Sequence, residues 1–259
     1  MKTLFTALLF SSIAFSPLGL RAESVDTAPE ELTDTIFEIE DAANDGDLDG
    51  VLDGYSDDFT NTDGLTIDSL AQGLEQMWLN FPELTYTTEI TSWSEEDGLL
   101  VAETITTIQG VQKDSNRVTN LNSTIKSLQY FEDSKIVNQK ILAEQSKLTS
   151  GNNPPRIKIV APETVKTGEK YNFDVIVDRP LEDRVLLGAI KEEKTASNLY
   201  LNPTALELEP LPAGGIFKTA TAPLLPDSNW ISAILVRGDG ITTIVHRVNI
   251  EEEPAKNKK

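Results

Sequence analysis

The chain has no cysteine and only one histidine. The first absence excludes disulfide scaffolds, thiol chemistry, iron–sulfur clusters and cysteine-based zinc sites, and the second leaves no imidazole cluster for a transition metal. Positive charge is also scarce: 22 Lys and Arg stand against 42 Asp and Glu, a formal net charge of −20. A surface this acidic repels phosphate backbones and anionic headgroups, so neither nucleic acid nor membrane insertion is expected of it. No cofactor is implied. The chain also lacks internal repeats, low-complexity tracts and a Gly-x-Ser-x-Gly nucleophile motif. Its 259 residues, 39% of them hydrophobic, suit one or two globular domains.

The one long apolar run comes first. Met1-Lys2-Thr3 precedes apolar sequence from Leu4 to Phe15, then Pro17, Gly19 and Arg21-Ala22. This is the pattern of a secretory signal peptide, residues 1–22, with cleavage expected near Ala22. The run is shorter than the roughly 20 residues that span a bilayer. An extracytoplasmic protein, periplasmic or secreted, is the expectation. At the other end, residues 251–259 combine Glu251-Glu252-Glu253 with Lys256, Lys258 and Lys259, a charged tail with nothing to bury.

Between these ends the periodicity changes twice. Leu32, Ile36, Ile39 and Ala43 form one helical stripe, and Leu70, Leu74, Met77, Trp78 and Phe81 form another. Thr27 with Glu30 reads as a capping box, Leu48 to Tyr55 as a short helical turn, and Pro82 as a stop. Long β-like stretches follow at Leu84–Trp93, Leu99–Gln109, Val118–Phe131 and Ile136–Ser146. Helices followed by a strand meander predict an α+β domain over residues 23–148, with a curved antiparallel sheet wrapped around three helices. Residues 149–155 read as a linker by their Gly, Asn and Pro content. Seven short strand candidates then fill residues 156–250 without a convincing helix, which predicts a small all-β sandwich of immunoglobulin-like type. Trp230, Ile234, Val236 and Ile244 are its expected core.

The segment from Asn44 to Thr60, NDGDLDGVLDGYSDDFT, resembles the nuclear transport factor two-like superfamily, in particular its ketosteroid isomerase-like and SnoaL-like branch. The order of elements over residues 27–146 agrees with it. The resemblance implies a cone-shaped sheet whose open end holds an apolar ligand, and a homodimer through the sheet's exposed face. It places Tyr55, Phe59, Met77 and Trp78 on the pocket wall and Asp63 at the position of the isomerase base. The isomerases also need oxyanion donors. Their positions fall here on Ile39 and on Lys126 or Ser127, none of which is the expected group, so ketosteroid isomerase activity is not expected.

Three other patterns have competing readings. Asp45, Asp47 and Asp49 copy the first half of a calcium loop, but Ser56 stands where a bidentate Glu is needed. The Arg237-Gly238-Asp239 tripeptide lies between two strand candidates and reads as a hairpin turn. His246 alternates with Ile244 and Val248 in an apolar strand and reads as a packed histidine. The expectation is thus a non-catalytic binding or scaffolding protein whose cone holds a small apolar ligand or a protein partner through Tyr55, Phe59, Asp63, Met77 and Trp78. The alternative is an isomerase or lyase using Asp63 as general base, and against both stands Asp63-Gly64 as plain turn chemistry.

Overall fold

The computed structural model describes residues 22–114, 117–178, 185–211 and 214–253. The expected signal peptide, up to Arg21, and the tail beyond Glu253 lie outside the described residues. The apolar stripes form helices α1 (Glu30–Asp45) and α3 (Ile67–Asn80), with the short α2 (Leu48–Asp53) between them and strand β1 (Tyr55–Asn61) after α2. Gly46, left-handed at φ 69°, ends α1 as a C′ glycine can at little steric cost. The expected capping box at Thr27 is absent: Pro29 is the N-cap, and the Thr27 hydroxyl bonds back to the Ser24 carbonyl in a 3-10 turn. The capping box belongs instead to α3, between Thr66 and Ser69.

Four long strands make the meander: β2 (Glu83–Glu96), β3 (Leu99–Asp114), β4 (Arg117–Glu132) and β5 (Lys135–Gly151). The β2–β3 and β4–β5 turns place Asp97-Gly98 and Asp133-Ser134 at positive φ, the conformation that two-residue hairpins favour. Beyond them come β6 (Ile157–Val160), β7 (Thr164–Lys166), β8 (Lys170–Val177), β9 (Leu187–Lys194), β10 (Glu209–Pro210), β11 (Gly215–Thr221), β12 (Asp227–Arg237) and β13 (Gly240–Glu251). One short helix, α4 (Ser197–Leu201), lies where the sequence pattern showed none.

The sheet does not curl into the expected cone. It is open, in the order β10-β9-β12-β13-β5-β4-β3-β2, with β1 against β5 and β7 against β13. The cause lies in the length of β5. Its first residues take β1 in parallel, Tyr55 beside Ile136 and Asn61 beside Gln139, while its last residues take β13, from Gln145 beside His246 to Gly151 beside Gly240. The edge of the meander is therefore continued by the C-terminal half instead of closing on itself. Thr149, Ser150 and Gly151, expected in the linker, are the end of β5. At Gly151 (φ 95°) an added Cβ would lie 2.8 Å from the Asp239 carbonyl oxygen, so this close approach requires glycine.

The free-standing immunoglobulin-like sandwich is corrected for the same reason. A three-stranded sheet, β11-β8-β6, packs on the C-terminal end of the large sheet, so one layer is shared with the N-terminal half. Register fixes which face each layer covers. Tyr86, Ile108, Ser123, Ser146 and Val245 form one cross-strand row, and Tyr86 and Ile108 pack with Ala43 and Val51 beneath the helices. Ile244, one residue from Val245, points to the opposite face and packs with Phe173 of β8. Helices thus cover one face at one end, and the small sheet covers the other face at the other end.

Candidate functional site

Between α1, α3 and the helix-side face of the sheet lies a cavity of about 250 Å³. Ile36 and Ile39 of α1, Leu70, Leu74 and Met77 of α3, and Ile108 of β3 give it an apolar wall. Helix α3 is amphipathic, yet none of its side chains is fully buried. Its Leu70, Leu74, Met77 and Trp78 pack against the core clusters, and the first three also line the cavity. Gly73 lies on the same wall, and a Cβ there would meet nothing within 4 Å.

Polar groups enter at a few points. Tyr55 and Asn61, from the two ends of β1, line the cavity together with Gln129 and Gln139, which pair across β4 and β5. The Asn61 amide is oriented by its turn, because its Oδ1 accepts from the backbone N–H groups of Asp63 and Leu65, each at 2.9 Å. Burial pushes the Tyr55 phenol up to about 12, so it stays protonated across ordinary pH. The Tyr55 ring meets Phe59 edge-on at 4.8 Å.

Tyr200 of α4 is the wall residue supplied by the C-terminal half. Its hydroxyl donates to Asp63 Oδ2 at 2.6 Å. Asp63 also receives both terminal nitrogens of Arg247, one at 2.8 Å to Oδ1 and the other to Oδ2. Arg247, fully buried, reaches Glu144 as well, at 3.0 and 3.2 Å. The Trp230 indole N–H donates to Glu144 at 2.8 Å, its ring lies 5.4 Å from the guanidinium carbon, and the Tyr200 ring stands edge-on to it at 4.8 Å. The Ser197 N–H donates to the Asp63 carbonyl, tying the start of α4 to the same turn. One guanidinium and two carboxylates are therefore held out of water by mutual hydrogen bonds, as buried charges must be.

This arrangement explains how Asp63 titrates. Burial acts to raise its carboxyl, but Arg247, with hydrogen bonds from Tyr200 and Thr195, outweighs burial and holds it below the usual carboxylate range. Tyr200 moves the other way, raised by burial and by the charges of Glu144 and Asp63. A general base needs a free lone pair and appreciable proton affinity. With its oxygens accepting from Arg247 and Tyr200, Asp63 is a weaker proton acceptor than a free carboxylate.

Of the other expected wall residues, Tyr55 and Met77 line the cavity. Phe59 is packed in the core behind it, and Trp78 donates its indole N–H to the Tyr86 hydroxyl at 3.1 Å. Asp47 caps α2 by accepting from the Gly50 N–H at 3.1 Å, and Asp45 ends α1. Among the described residues no group of three or more acidic or histidine side chains is placed to hold a metal ion. His246 is buried, with Nε2 at 3.0 Å from the Pro162 carbonyl. The roles of Arg247, Glu144, Tyr200 and Asn61 were not read from the sequence. The available signal was Arg247 itself, a cation between Val245 and Val248 in a strand read as core, and a buried cation calls for a buried anion.

Residues 152–251 match a family model described as a domain of unknown function, DUF8623. No curated protein matches the chain. Among solved structures, a loop-truncation variant of IdmH is 16% identical over 42% of this chain and 89% of its own, with a TM-score of 0.33. An LEH-like epoxide hydrolase of M. tuberculosis is 13% identical over 43% of this chain and 80% of its own, with a TM-score of 0.31. Bd1075 of Bdellovibrio bacteriovorus is 15% identical over 43% of this chain, with a TM-score of 0.32, and the match spans 38% of that protein. These are weak, distant likenesses and carry no argument about fold or function.

Proposed function

We propose that the chain is a non-catalytic extracytoplasmic binding protein whose cavity takes one small, mainly apolar molecule. The observation that supports this reading is α3, an amphipathic helix with no fully buried side chain, facing a cavity of about 250 Å³. Apolar side chains turned toward an unfilled space forgo contacts that an apolar ligand would supply. The C-terminal half closes this wall with Tyr200 and is clamped to the N-terminal half through Asp63 and Arg247. On this reading Asp63 serves the clamp and takes no proton from a substrate.

The test is a fluorescence titration with N-phenyl-1-naphthylamine, an uncharged probe that brightens in apolar surroundings. Wild-type protein binds it saturably at one site. Gly73→Phe, which sends a ring into the cavity from a helical position with room for it, removes binding without lowering the melting temperature. Unchanged binding by that variant places the site elsewhere and rejects the proposal.

A further inference from the structure

We infer that the molecule held in the cavity carries an uncharged hydroxyl, as a phenol or alcohol does, on its apolar frame; this deepens the ligand reading above and rests on it. An acceptor left without a donor carries the inference. Gln129 of β4 lines the cavity and is 7% exposed, and its Oε1 is buried with no hydrogen-bond partner among the described residues. Groups buried in this way are few in folded chains, because their lost hydration is not replaced.

Donors around Gln129 are committed elsewhere. Gln139, its partner across the ladder, gives Nε2 to the Ser127 hydroxyl at 3.2 Å, and Ser127 shares a further hydrogen bond with Thr104 at 3.1 Å. Thr88 and Thr106 bond each other at 3.1 Å, and the Tyr200 hydroxyl donates to Asp63. Tyr55 and Asn61 stand on the same wall without bonding to Gln129 Oε1. The missing donor is therefore one that a bound molecule can bring. The terminal torsion of a Gln amide is broad, so a small turn offers Oε1 to a hydroxyl in the cavity. A ketone, ether or ester brings another acceptor and leaves Oε1 as it is. An ammonium would lie among Ile36, Ile39, Leu70 and Leu74, and burying its charge there costs more than one neutral acceptor returns.

The experiment titrates wild-type protein and Gln129→Met calorimetrically into 2-naphthol and into 2-methylnaphthalene, which carries a methyl group in place of the hydroxyl. At neutral pH the phenol keeps its proton. The hydroxyl loses its own hydration on entering either protein, so the readout is the ratio of the two affinities. In wild-type protein that ratio should favour 2-naphthol by about tenfold more than in Gln129→Met, the worth of one net hydrogen bond. 2-Methoxynaphthalene, which accepts without donating, should keep the same ratio to the hydrocarbon in both proteins. Met preserves the length of the side chain and removes the unpaired oxygen, so the variant should melt at the wild-type temperature or higher. A clear fall would show that the amide already serves the fold, and overturns the inference. An unchanged 2-naphthol ratio overturns it as well, while leaving the cavity as a ligand site. 2-(Aminomethyl)naphthalene, an ammonium at this pH, tests the charge: tighter binding than 2-naphthol, through the Glu40 carboxylate on the wall, overturns the assignment of a neutral hydroxyl. Failure of every probe to bind wild-type protein overturns the cavity reading on which the inference rests.

Discussion

The two ends of the large sheet are covered in different ways. At the C-terminal end a second sheet meets it, and Phe173, Val175, Ile231, Ala233, Leu235, Ile244 and Val248 have no accessible surface at all. At the N-terminal end helices lie across the strands, α3 buries no side chain completely, and a cavity remains. Two pleated layers can interdigitate residue by residue, whereas a helix is a cylinder resting on a sheet and leaves room unless large side chains fill it. Here Gly73, Ser69, Thr88 and Thr106 stand on the cavity wall where bulkier residues could have filled it. The sheet-on-sheet end holds the larger packed cluster, and the helix-covered end holds the apolar cavity.

The junction between the ends should give the largest effect. Arg247→Met leaves Asp63 and Glu144 buried without their cation and is expected to cost about 3–5 kcal/mol in urea unfolding. A loss below about 1 kcal/mol would mean that the clamp does not hold the halves together. The difference in packing is tested next. Leu235→Ala, in the packed core, should cost about 2–5 kcal/mol, and Leu74→Ala, whose side chain already faces a cavity, clearly less than that. Equal losses would contradict the distinction between the ends. The smallest effect is one of pH. The Asp63 carboxyl titrates lower in the folded chain than the roughly 3.9 of an unstructured aspartate, so the unfolded chain takes up its proton first as pH falls. Its stabilising contribution is present above about pH 4 and is lost as the pH falls through the folded value. Acid unfolding curves of wild-type protein should show this loss, and those of Arg247→Met should show less of it.

Much of the N-terminal half was legible in the sequence because period and punctuation agree there. Leu32, Ile36 and Ala43 sit at helical spacing and are buried, and the Asp97-Gly98 and Asp133-Ser134 turns separate long alternating strands. The junction was not legible. Gly151, Asn152, Asn153, Pro154 and Pro155 read as punctuation, but Gly151 is in a strand because its partner across the ladder is Gly240, far along the chain. Local composition carries no information about that pairing. Helix α4 is only five residues long, too short for periodicity to show. The clamp is harder still, since Asp63, Glu144, Tyr200, Trp230 and Arg247 come from five separate elements or turns. The resemblance points to Asp63 only as the alternative general base, and the structure places it against Arg247 and Tyr200. Its role depended on Arg247, which no local pattern connects to it.

Amide hydrogen exchange of the full chain with and without saturating N-phenyl-1-naphthylamine tests most directly whether an apolar ligand binds in the helix-covered cavity. Slower exchange is expected in α1, α3 and the 195–202 segment that carries Tyr200, with no change in β8 and β11. Protection centred on β8 and β11, or none in α3 when the probe is bound, would contradict the assignment of the cavity as the binding site.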